Sequence, residues 1–201
     1  MKTIIFVLNL LVVLVFGTAT LTISGCVKQG SESAASLRQE YVDSLRNILN
    51  MTVEGRIALD NNLTEFDTLD FKVFTGQEWA RLHESHAEDI VVHWPDGHQT
   101  TGLEKHSEDL KAMFVYAPDT RITTHPIRFG SASGDWTCVT GIMEGTFSKP
   151  MPVGGGKSIQ PTGKTFSVSM CTIGKWKDGV MVEEYLFWDN QTFMNQIGLG
   201  K

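Results

Sequence analysis

The chain has 201 residues, 20% of them charged, with a formal net charge of -6. That balance excludes a nucleic-acid partner, which needs a basic face to displace counterions, and leaves small organic ligands or another protein. The length is one domain's worth of chain behind a leader, enough to bury a core.

The chain starts with Lys2 and an apolar run from Ile4 to Phe16, followed by small residues. Such a run is too short for a comfortable membrane span and reads as a secretory leader. Its end, Ile23-Ser24-Gly25-Cys26, resembles a bacterial lipobox. That resemblance implies cleavage after residue 25, lipid on the Cys26 thiol, and an exported lipoprotein anchored to a membrane of the cell envelope. Residues 26–36 are small and polar, as a tether would be. Residues 37–201 form the expected domain, opened by an amphipathic helix with Leu37, Tyr41, Leu45, Ile48 and Leu49 on one face.

A weaker helical stretch covers 53–59, and a helix is predicted over 77–86 after the Thr75-Gly76 turn. A β-branched run, Asp89 to His93, ends in Pro95-Asp96-Gly97 and reads as a strand and its exit. Helix returns over 102–117. Extended segments follow over 120–131, 136–147, 164–176 and 180–188, the last two joined by the tight turn Asp178-Gly179. Helices first and an antiparallel meander afterwards mean α+β.

Asp189 precedes Asn190-Gln191-Thr192 and is read two ways. It is a helix N-cap, or it is an acid desolvated beside Tyr185 and Phe187, which strand alternation puts on its side, with Glu184, Leu186 and Trp188 on the other. His93, beside Trp94, is a candidate hydrogen-bond donor to a ligand carbonyl, or an exposed or structural histidine. Trp94, Phe147, Met170 and Tyr185 are candidate ligand-binding residues, because such pockets are largely apolar. The six histidines form no metal-binding motif with a carboxylate or cysteine pair, so no metal is expected. If the loop over 149–163 joins two antiparallel strands, Phe147 sits near Lys164 and Cys138 comes close to Cys171, which opens a cross-strand disulfide.

The ordered set "HAEDIVVHWPDG", "APD", "GTF", "PTGK", "DG", "VEEYLFWDN" and "QIGL" resembles the SnoaL-like polyketide cyclases, or ester cyclases, of the nuclear-transport-factor-2-like superfamily, over about Phe66 to Leu199. The resemblance implies an NTF2-like cone, a strongly curved mixed sheet wrapped around helices and enclosing an apolar pocket, commonly in homodimers. It implies an aldol-type ring closure on an apolar carbonyl compound without cofactor or metal, with Asp189 as catalytic acid/base; His93, from its place beside Trp94, is the expected catalytic helper. The family's supporting histidine has no counterpart in Ser169–Lys177. The rival expectation is a ligand-binding or interaction module on the same fold without catalysis.

Overall fold

Leu59, Leu63 and Phe66 recur at three- and four-residue spacing, and all three are buried along one face of a long helix. The computed structural model describes residues 27–200, so the leader and Cys26 lie outside the described residues. Helix α1 runs without a break from Val27 to Thr68. Its first turns therefore take up residues 27–36, expected as a tether, and its middle takes up 53–59, expected as a separate helix. No helix among the described residues is long and apolar enough to cross a membrane.

The chain divides into two units at Asn47 and Ile48. In the first, Leu37, Tyr41 and Leu45 are exposed, and Asp43 joins Gln39 and Arg46 along the helix surface. The predicted apolar stripe is present there, but it is exposed. The second unit carries the fold.

After α1 the backbone widens into a π-helical turn, Leu69–Phe74, and a 3-10 turn, Trp79–Glu84, takes the place of the helix expected over 77–86. Strands β1 (His86–His93) and β2 (Gln99–Thr101) precede helix α2 (Leu103–Tyr116). Strands β3 (Arg121–Ile122), β4 (Arg128–Gly130) and β5 (Trp136–Thr146) follow. The glycine-rich loop holds a small hairpin of β6 (Met151–Pro152) and β7 (Ser158–Ile159). Strands β8 (Thr165–Lys177) and β9 (Val180–Trp188) and helix α3 (Asn190–Gln196) complete the chain. Asp178 and Gly179 both have positive φ, 52° and 84°, as the tightest hairpin turn requires.

The main sheet runs β2-β1-β9-β8-β5-β3, with β4 also on β5. Only β1 and β9 are parallel, so the mixed sheet is otherwise antiparallel. Its inner face, including Val139, Met143, Phe166, Val168 and Trp176, packs with Phe66, Val73 and Phe74 before β1 and Leu110 and Phe114 of α2 in one hydrophobic core. Two glycines let the layers close. A Cβ on Gly145 would stand 2.7 Å from the Phe166 ring, and one on Gly174 would stand 2.6 Å from Met181 Sδ. A side chain at Gly145 would push the Phe166 ring from its place, and one at Gly174 would displace the Met181 side chain.

Strand β9 holds an irregularity that decides which residues face the core. Lys175 pairs with Glu183 and Trp176 with Met181, so Val182 has no opposite residue. This bulge reverses the alternation: Met181 is buried before it, and Glu184 and Leu186 are buried after it.

Candidate active site

Between the sheet and the helices is a small, partly open cavity of about 40 Å³. Apolar residues such as Leu69, Leu110, Met143 and Leu186 make most of its wall. Its polar lining is Asp70, His86, His106, Thr172 and Glu184. An apolar cavity with a few convergent polar groups is the usual form of a small-molecule site. The free space is water-sized, so a larger ligand must displace flexible lining side chains such as Met113 and Met170.

Asp70 is placed by the π-helical turn, where Thr75 N donates to Asp70 O across five residues at 3.2 Å. Its carboxylate meets His125 from the β3–β4 loop, Oδ2 to Nε2 at 2.8 Å, and His125 Nδ1 meets Asp67 Oδ1 at 2.8 Å. Asp67 in turn pairs with Arg128. The His125 side chain is 2% exposed, whereas Asp67 and Arg128 are 30% and 46% exposed, so the chain of contacts leads from the cavity wall to the surface. Burial pushes the Asp70 carboxyl above its usual range, and the His125 contact offsets only part of that. Burial opposes a charged His125, but Asp70 and Asp67 outweigh it and raise His125 above its ordinary 6.5.

The raised His125 contributes stability that is complete below pH 6.5 and is lost as pH climbs through its folded-state value. Asp70, raised above 3.8, works in the same sense at lower pH, since the folded state holds that proton more tightly. The melting-temperature difference between wild type and His125→Gln should therefore be largest below neutrality and shrink on the alkaline side. A difference constant across a pH series would count against the charged pair.

The remaining polar residues converge from three elements. His86 starts β1, His106 lies in the first turn of α2, and Glu184 follows the β9 bulge. Glu184 Oε2 is 3.7 Å from His86 Nε2 and 3.3 Å from His106 Nε2, yet Glu184 Oε2 and His86 Nε2 form no hydrogen bond. Burial holds His106 down to about 4. It pushes Glu184 up, but the two histidines beside it outweigh that and keep the carboxyl below its usual range.

The family profile of SnoaL-like polyketide cyclases matches residues 67–197, most of the chain. The chain belongs to the SnoaL-like polyketide cyclase family. Similar solved structures support the fold. A proposed polyketide cyclase from Xanthomonas campestris pv. campestris has TM-score 0.62 at 13% identity, covering 70% of this chain and 99% of its own. IdmH from Streptomyces antibioticus, also a proposed polyketide cyclase, has TM-score 0.57 at 23% identity, covering 68% and 98%. A Catenulispora acidiphila protein with a ketosteroid isomerase-like fold, solved with trimethylamine, has TM-score 0.53 at 16% identity, covering 69% and 92%. No curated protein sequence matches the chain. The expected family and NTF2-like α+β fold are therefore those of this protein.

Within this SnoaL-like chain the candidates from sequence separate. Trp94 and Met170 line the cavity. Phe147 is fully buried against Tyr116, away from the cavity lining. Tyr185 and His93 lie outside, on the other face of the sheet, where their rings stack at 4.1 Å and both reach Glu183 Oε1. Asp189 is exposed and caps α3, accepting from Gln191 N at 2.9 Å and from the Thr192 hydroxyl at 2.5 Å. These bonds hold it below the usual carboxylate range, which corrects the expectation of a desolvated acid. The paired aromatics do share its side of β9, as alternation predicts, but that side faces away from the core. Asp189→Ala should lower the melting temperature slightly and leave ligand turnover unchanged. Loss of turnover in a folded variant would restore a chemical role.

Cys138 and Cys171 are free thiols with sulfurs 3.5 Å apart. They sit diagonally, Cys138 opposite Ile173 and Cys171 opposite Thr140, so the expected bridge is not formed in this structure. Burial and the Cys138 neighbour push the Cys171 thiol up to about 11. What the sequence did not reveal is the polar set itself. Asp67 and Asp70, three apart at a helix end, were its one local signal.

Proposed function

We propose that this protein binds a small apolar carbonyl compound in the cavity and catalyses proton transfer at the carbon beside the carbonyl, the step that opens an aldol-type cyclisation. The observation that carries this reading is Asp70, a cavity-wall carboxylate backed by His125 and Asp67 in a line to the surface. Asp70 takes the proton; its raised position strengthens it as a base near neutral pH. His125 and Asp67 hold it in place. The ligand oxygen occupies the end formed by His86, His106, Glu184 and Thr172, whose hydroxyl has no hydrogen-bond partner among the described residues.

The test is exchange of the α-protons of 2-tetralone in D2O, followed by NMR. The wild type should accelerate exchange above buffer. Saturable binding without acceleration would defeat the catalytic reading and leave a ligand-binding module on the same fold.

The lipobox-like sequence ending at Cys26 supports lipid anchoring in a bacterial cell envelope; mass spectrometry showing an unmodified Cys26 in membrane-expressed protein would refute it. Phe129, Ile142 and Phe187 are exposed on the outer sheet face, with Phe129 opposite Cys138 and Phe187 opposite Cys171. This apolar face supports a homodimer through a second copy, and a monomeric mass by light scattering would refute it.

A further inference from the structure

His86, His106 and Glu184 are far apart in sequence and buried together, and one donor atom from each lies within 4.8 Å of the others. Bonds of about 2.0–2.1 Å to a tetrahedral ion place its ligand atoms roughly 3.3–3.4 Å apart. The Glu184 Oε2 separations of 3.7 Å and 3.3 Å from the two Nε2 atoms match that spacing after a small adjustment.

At this point His86 Nε2, Thr172 Oγ1 and Glu184 Oε2 are buried without a hydrogen-bond partner among the described residues, which native interiors rarely tolerate. The tautomer of His86 sharpens the problem. Its Nδ1 lies 3.2 Å from Leu82 O and 2.9 Å from Ser85 Oγ, and the Ser85 hydroxyl is 3.3 Å from the same carbonyl. With Nδ1 as the donor to the Leu82 carbonyl, the Nε2 lone pair is free to take an ion. A ring nitrogen tied to a backbone carbonyl is also the usual outer support of a metal-binding histidine.

We propose that His86, His106 and Glu184 bind one divalent first-row transition ion, Zn²⁺ being the simplest occupant, with a fourth position open to the cavity. Two imidazoles and one carboxylate are a donor set that such ions take, and a three-ligand site leaves room for water or a ligand oxygen. His106 Nδ1 and, one helical turn later in α2, Asp109 Oδ2 are also buried without a partner among the described residues. This goes beyond the proton-transfer reading, which needs no ion, and Asp70 is not among the ligands.

The test uses the full chain, stripped with a chelator, dialysed and titrated with ZnCl2 by calorimetry in the absence of any ketone. The expected result is one equivalent per chain and a raised melting temperature. His106→Gln and Glu184→Gln should each weaken binding by roughly 100-fold or more, since even outer-shell partners cost 10–100-fold. His83→Gln and His98→Gln, on exposed residues, should leave it unchanged. Uptake well below one equivalent, or undiminished affinity in folded His106→Gln, overturns the proposal. If neither ligand variant folds, Co²⁺ added to the wild type decides: the visible bands of a four-coordinate site support it, and their absence overturns it. Zinc binding without ketone exchange would defeat the proton-transfer reading alone. Exchange by protein that takes up no zinc would defeat the ion alone.

Discussion

Asp70→Asn should lower the α-proton exchange rate by roughly 10²- to 10⁴-fold, the range a positioned general base contributes. The substitution keeps the shape of the side chain and leaves an amide oxygen able to accept from His125 Nε2, at the position where the carboxylate now accepts at 2.8 Å. His125 also keeps its second partner, Asp67. The variant should therefore fold, which circular dichroism checks. What it loses is the basic oxygen in the cavity wall, so ketone affinity should change far less than the rate. Asp67→Asn should do less damage to the rate, because Asp67 stands at the surface end of the line and touches no ligand. A rate within about tenfold of wild type in folded Asp70→Asn would move the proton chemistry off this residue.

The parts of the molecule that obey local rules were legible in the sequence. Strands β5, β8 and β9 follow from alternation, the β8–β9 turn from Asp178-Gly179, and the closeness of Phe147 and Lys164 from the loop between their strands; Phe147 N donates to Lys164 O at 2.9 Å. Residues that owe their place to an irregularity were not. Alternation grouped Glu184, Leu186 and Trp188 correctly, but the unpaired Val182 turned that group inward and left Asp189 outside as a cap. His86, expected on a helix, opens a strand instead, since a 3-10 turn ends the helical segment two residues earlier. The polar cluster joins residues 12 to 114 positions apart across the sheet and two helical regions. No spacing pattern along the chain encodes that meeting; only the closed fold does. Asp70 depends on the same kind of local departure, a π-helical turn that re-aims the residues following α1.

Phe147→Ala should destabilise the protein by about 3–5 kcal/mol, the usual cost of deleting a buried aromatic side chain, without altering ketone affinity per folded molecule. Phe147 is 0% exposed and meets Tyr116 edge-on at 6.2 Å. Its backbone donates to Lys164 O and accepts from Gly163 N, so it closes the glycine-rich excursion at its root. Directly after it, Ser148 N and Lys149 N both donate to Tyr116 O at 3.1 Å, fastening that root to the end of α2. Truncation leaves a void beneath these bonds, and the rigid strand pair can collapse into it only in part. Phe147→Leu, which keeps most of the volume, should cost clearly less. Denaturant unfolding measures both losses, and ketone titration below the transition separates packing from recognition. A Phe147→Ala protein with near wild-type stability but weakened ketone binding would return this ring to the ligand site that the sequence suggested for it.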